Sequence, residues 1–125
     1  MPKFELYGKK YNNPVQLALD VIGGKWKMPI LWRIRETPLR YSDLRASLND
    51  HAHKPITHAM LTQQLKELEA AGLISRTAYA EVPPRVEYLV TPLGSKVMPV
   101  IEALRAFGYA YKSAKEKRKG VQHPA

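Results

Sequence analysis

Asp50, His51, His53 and His58 crowd one short stretch of this chain, and imidazoles so placed are the residues to test first for chemistry. They suit zinc and other borderline metals. Histidines in a surface loop beside a polyanion do something commoner, however: they add phosphate contacts that strengthen on protonation below about pH 6.5. That reading is preferred, so no metal is assigned, and His51, His53 and His58 stay as low-ranking ligand candidates. A few residues on, Thr62, Gln63 and Lys66 form a second set. A glutamine amide can pair bidentately with adenine, threonine can meet a phosphate or a thymine methyl, and lysine can neutralise phosphate or read guanine. Catalysis has little to work with. The chain has no cysteine, which excludes disulfides, thiol nucleophiles and Zn–Cys sites. No glycine-rich phosphate loop is present, and the serine near the histidines lacks a partner set. The expectation is a protein that is not an enzyme and carries no cofactor.

Side chains that touch a partner must be held by an element with its other face buried. From Ile56 the sequence reads ITHAMLTQQLKELEAAG. Thr57 suits an N-cap and Gly72 a C-terminal stop, with Leu61, Leu65 and Leu68 on one edge. At 100° per residue, Ala59, Thr62, Gln63 and Lys66 point away from that edge. Thr57 and His58 open the same helix, and Glu67 and Glu69 read as solvated charges. Two strand-like runs follow, Ile74 to Ala80 and Val86 to Thr91, joined by Pro83-Pro84, which cannot donate ladder hydrogen bonds. Arg76 lies in the first strand and Arg85 at the far end of the loop. Helix then hairpin suggests a reading helix backed by a wing.

Upstream, Ser42 reads as the N-cap of a short support helix that turns Tyr41, Leu44 and Leu48 inward and carries Arg45. The turn-rich NDHAHKP separates it from the reader. A helix from about Lys25 to Glu36 should bury Trp26, Ile30, Leu31 and Ile34, with Pro29 either near its start or bending it. Lys25 follows two glycines at that helix's N-terminus, a place for phosphate to dock. Pro14 opens a first helix with Val15, Ala18, Leu19 and Ile22 on one edge. Thr91-Pro92 opens a last, long one through Leu93, Val97, Ile101, Leu104, Phe107 and Tyr111, kinked at Pro99. Both terminal helices have apolar edges that need covering.

Twenty Lys plus Arg against eleven Asp plus Glu give a net charge of +9, which favours polyanions through counterion release. Part of the excess lies in KSAKEKRK near the end, where cations suit a helix C-terminus. With no span of the length a bilayer needs and no signal sequence, a soluble cytoplasmic protein with no membrane partner is expected. The organisation expected is an N-terminal arm over 1–12, one domain over 13–118 and a flexible tail over 119–125. Its fold class is mainly α with a small β-hairpin wing. The rival reading is a winged-helix module that binds protein or RNA, for which exposed aromatics would serve as stacking platforms. Tyr79, Tyr88, Tyr109 and Tyr111 suit core or dimer packing better.

These segments resemble the HxlR-type winged helix-turn-helix transcription regulators of bacteria and archaea. The resemblance is carried by LDVIGGKW, ILWRI, RYSDLR, MLTQQLKELEAAGLISR, VPPRVEYLVTPLG and PVIEAL, and spans residues 13–108. It implies a homodimer, joined through the first and last helices, that regulates transcription, most simply as a repressor, by setting two readers in successive major grooves of a near-palindromic site. Val15, Leu19, Leu93, Val97, Ile101, Leu104, Phe107 and Tyr111 would form the dimer interface. Thr57, His58, Ala59, Thr62, Gln63 and Lys66 would meet DNA from the reading helix, and Lys25, Ser42, Arg45, Arg76 and Arg85 would hold the backbone. Three positions depart from the family pattern. Asn13 stands where many members have a sensing cysteine, Ala59 where a basic residue is common, and Asn49 to Pro55 makes a longer turn. Thiol sensing is therefore excluded, and the effector is left unknown.

Overall fold

The computed structural model describes residues 4–122, with side chains through 117. An N-terminal hairpin comes first: β1 (Phe4–Leu6) pairs antiparallel with β2 (Lys9–Tyr11). Tyr7 and Gly8, between the strands, both have positive φ, the backbone of a two-residue type I′ turn. This hairpin is the segment expected as an N-terminal arm, and it docks on α1 (Pro14–Ile22) through Asp20, which accepts from Lys9 Nζ at 3.2 Å and Tyr11 Oη at 3.1 Å. Asn13 caps that helix, its Oδ1 accepting from Gln16 N at 2.9 Å.

α2 (Lys27–Arg33) is shorter than expected at both ends. Pro29 is its third residue, where a missing N–H leaves no ladder bond unmade. Trp26, Ile30, Leu31 and Ile34 are buried as the pattern predicted. β3 (Leu39–Arg40) leads straight into α3 (Tyr41–Asn49). Ser42 is not the cap of α3: Arg40 holds that position without a side-chain bond, and Ser42 lies inside the first turn, exposed. The backbone of β3 explains the shift, because Leu39 and Arg40 pair with Tyr88 and Glu87 and carry extended geometry right up to the helix.

The long turn is closed by Asn49, whose Oδ1 accepts from Ile56 N at 2.8 Å and whose Nδ2 donates to Ile56 O at 3.3 Å. α4 (His58–Ala70) follows, with Thr57 Oγ1 accepting from Met60 N. Leu61, Leu65 and Leu68 are buried, joining Leu44, Leu48 and Ile56 in one core. β4 (Ile74–Tyr79) and β5 (Arg85–Val90) form the wing, in the order β3-β5-β4. Gly72, with φ of +77°, ends the reader in the left-handed region that glycine adopts freely. Thr91 ties the wing's exit to this stop, its Oγ1 donating to Gly72 O at 2.6 Å while accepting from Gly94 N.

The last helix is broken, not kinked. α5 (Pro92–Ser95) is one turn and α6 (Met98–Gln122) begins afresh, with Pro99 in its first turn. Gly94 makes the close approach possible: a Cβ there would sit 2.1 Å from Leu73 O. α6 enters the stretch read as a tail, while 123–125 lie outside the described residues.

Candidate nucleic-acid interface

Thirteen residues make α4 about 20 Å long at 1.5 Å per residue, enough to lie across a major groove about 12 Å wide. Its outer face is as expected: Ala59, Gln63 and Lys66 are exposed and Thr62 half-buried. Tyr41, His58, Thr62, Lys66 and Arg76 line a groove of 580 Å³ between the reader and the wing. Ser42 and Arg45 line an adjoining one of 340 Å³ that shares Tyr41. Six of the expected contact residues thus converge on one surface. Glu69 also lines the larger groove, with no ion pair to Lys66 or Arg76 among the described residues.

Three residues differ from expectation in detail. His58 is held rather than free: its Nδ1 meets the Tyr41 hydroxyl, and the two rings pack edge to face at 5.2 Å. Lys25 lies two residues before α2 rather than on its first turn, with Nζ 5.1 Å from the Trp26 ring. Arg85, expected at the far end of the loop, is the first residue of β5. Its guanidinium stacks on Tyr79 at 4.0 Å and pairs with Glu81 at 3.5 Å and Glu87 at 4.0 Å, so its charge is largely answered within the wing. Thr57 spends its hydroxyl on the expected cap. His51 is exposed beside Asp50 at 3.4 Å. Among the described residues, no three His, Cys, Asp or Glu side chains gather where they could hold a metal ion.

A support helix, a turn, an outward-facing second helix and a three-stranded wing make a winged helix-turn-helix. The HxlR-like helix-turn-helix family matches residues 21–116. This chain belongs to that family. An uncharacterized HTH-type transcriptional regulator of Methanothermobacter thermautotrophicus is 42% identical over 107 residues, 86% of this chain and 78% of its own length. YtcD of Bacillus subtilis, another HTH-type transcriptional regulator, is 44% identical over 100 residues, 80% of this chain and 75% of its own. The solved structure of the redox regulator HypR in its reduced form matches with a TM-score of 0.74 at 36% identity, over 84% of this chain and 99% of that one. Family and relatives are transcriptional regulators, not enzymes. Among the described residues no helix is long and apolar enough to cross a membrane.

In this HxlR-family chain the reader is braced by residues that sequence reading missed. Lys27 is buried, and its Nζ donates to Gln64 Oε1 and Glu67 Oε1, both at 3.0 Å. The other Glu67 oxygen accepts from Gln63 Nε2 at 2.9 Å. Glu67 is therefore no idle surface charge: it links the first turn of α2 to the outer face of the reader. Only a lysine on a helix otherwise rich in apolar residues hinted at this, and nothing local named its partner forty residues on. The Lys27 hydrogen bond, then that of Gln63, hold the Glu67 carboxyl below its ordinary 4.5. Bonds from Lys9 and Tyr11 likewise hold Asp20 below 3.8. A carboxyl depressed in the folded state adds stability that is complete above its unfolded pKa and lost as pH falls through the folded one. Denaturant midpoints should hold from pH 7 down to about 4.5 and then fall, and Glu67→Gln should flatten part of that fall.

Proposed function

We propose that two copies of this chain bind a pseudo-palindromic promoter site and repress the adjacent gene by occupying it, in the cytoplasm where chromosomal DNA lies. The observation that carries this is the division of α4: a leucine edge locked in the core, and opposite it Gln63 and Lys66 exposed beside a groove whose other wall is the wing. Gln63 gives one amide N–H to Glu67, which leaves its second N–H for adenine N7 and its Oε1 for N6. Lys66 meets guanine or phosphate; Thr62, His58, Ser42, Arg45 and Arg76 line the walls that backbone phosphates would follow. Gln63→Ala and Lys66→Ala should each weaken specific binding by about 1 to 3 kcal/mol. Unchanged affinity and base preference in Gln63→Ala would remove that residue from the reader.

Salt dependence separates the wing's two arginines. Arg76→Ala should flatten the slope of log affinity against log salt by about one. Arg85→Ala should flatten it by less, because Glu81 and Glu87 already answer much of its charge. Equal losses would place Arg85 on phosphate despite its carboxylate neighbours.

Support for the dimer comes from what the protomer leaves uncovered. On α6, Val100, Leu104, Phe107 and Tyr111 repeat at spacings of four, three and four, and are 43%, 49%, 65% and 55% exposed. That is the spacing of a coiled-coil seam. Val15, Leu19 and Leu93 are exposed as well, whereas Val97 and Ile101 are buried in the protomer's own core. Redox control of the kind HypR is named for has no thiol to act on in this chain. Asn13 caps α1 instead, and a signal would act by changing the spacing of the two readers.

A further inference from the structure

Lys27, Glu67 and Gln63 form a chain of contacts that starts in the core and ends on the outer face of α4. The Lys27 side chain is only 11% exposed, and its ammonium holds one Glu67 oxygen at 3.0 Å while the other oxygen takes an amide N–H of Gln63 at 2.9 Å. Alone, a glutamine and a carboxylate four residues apart on an exposed helix face hold each other weakly. Here the carboxylate is anchored from behind, by a buried cation that Gln64 Oε1 also binds. An ionised carboxylate accepts and never donates, so the Gln63 atom turned toward it is Nε2, and the amide is kept from flipping. Both Glu67 oxygens have partners within the protein. Its part is therefore to hold a neighbour rather than to meet a base itself.

On the reading of α4 as the major-groove reader, on which this inference rests, we propose that Glu67 is a positioning residue that sets which base Gln63 selects. With one N–H held by Glu67, the amide keeps one donor and one acceptor, which match N7 and N6 of adenine and not the two acceptors of guanine. Glu67→Gln should reverse this. Lys27 can only donate, so it claims the new amide's oxygen and turns the new N–H groups toward Gln63. Gln63 then answers with Oε1 and sends both its own N–H groups outward, as a lysine reading guanine O6 and N7 does.

The test compares competing duplexes that differ at single positions of the site selected by the full-length protein; the position Gln63 reads is the one whose preference Gln63→Ala loses. There the unaltered protein should favour adenine over guanine about tenfold or more. Glu67→Gln should move that preference toward guanine. Glu67→Ala, made together with Lys27→Met so that no buried charge is left unpaired, should level the two bases. Preferences at the other positions should stay, whereas a merely structural role would weaken all of them together. In the free protein, ¹⁵N relaxation should show the Gln63 side-chain amide ordered, and as mobile as a free surface amide once Glu67 and Lys27 are replaced. A mobile amide in the unaltered protein, or adenine preference kept in Glu67→Gln and lost in Gln63→Ala, overturns the positioning role and leaves the reader standing. No selected site, or no change of preference in Gln63→Ala, overturns both.

Discussion

Phe107→Asp should turn the protein into a monomer in sedimentation and lower its affinity for a two-half-site duplex by about 10²- to 10⁴-fold, the range that linking two binding modules provides. The side chain is 65% exposed, with its ring centre 5.9 Å from that of Tyr111, so the protomer's core should not notice the change. What it should notice is the loss of a cover for α6. Side chains from Glu102 through Lys117 are all exposed, and a helix with no tertiary contact is marginal in water. Full burial of Leu104 and of Phe107 is worth about 1.5 to 3 kcal/mol each, and a carboxylate in that seam has no cation set to receive it. Circular dichroism should therefore show helicity lost along with the dimer. Affinity for a single half-site should stay as it was. A Phe107→Asp protein that remains dimeric and binds the full site normally would place the interface elsewhere.

Leu61→Ala should cost about 2 to 5 kcal/mol of stability, the usual penalty for emptying a core leucine site. Leu61 is fully buried and sits on the inward edge of α4 with Leu65 and Leu68, where it holds the reader against the core. With total stabilities of about 5 to 15 kcal/mol for domains of this kind, that is a large share. Lys66 lies on the opposite face, exposed. Lys66→Ala should leave stability within about 0.5 kcal/mol and act on DNA binding alone. Urea unfolding of the two variants beside duplex binding measures both effects. If Lys66→Ala unfolds as readily as Leu61→Ala, the two faces of the helix have been confused.

Where the sequence was legible, the determining interactions were local. The leucine edge of α4, the Thr57 cap, the Gly72 stop and the proline-joined wing each follow from spacing or backbone chemistry within a few residues, and each stands in the structure as expected. Four features were not legible. β3 exists because Leu39 and Arg40 reach Tyr88 and Glu87, and that pairing displaces Ser42 from the cap. Val97 and Ile101 are buried in the protomer's core while Leu104, Phe107 and Tyr111 farther along the same run are exposed, and periodicity alone does not say where along a helix the core ends. Arg85 found three partners inside the wing. Lys27 and Glu67 are brought together only by the packing of α2 on α4. The outer face of the reader was read correctly because burial of one edge dictates the other; how its glutamine is braced was not.

Selection of bound fragments from random duplex DNA by the full-length protein tests the central claim most directly. Two inverted half-sites with centres about 10 to 10.5 base pairs apart, or a multiple of that, should emerge, and Gln63→Ala should relax preference at the same position in each half. No enrichment, or a single asymmetric site, would contradict a symmetric pair of major-groove readers.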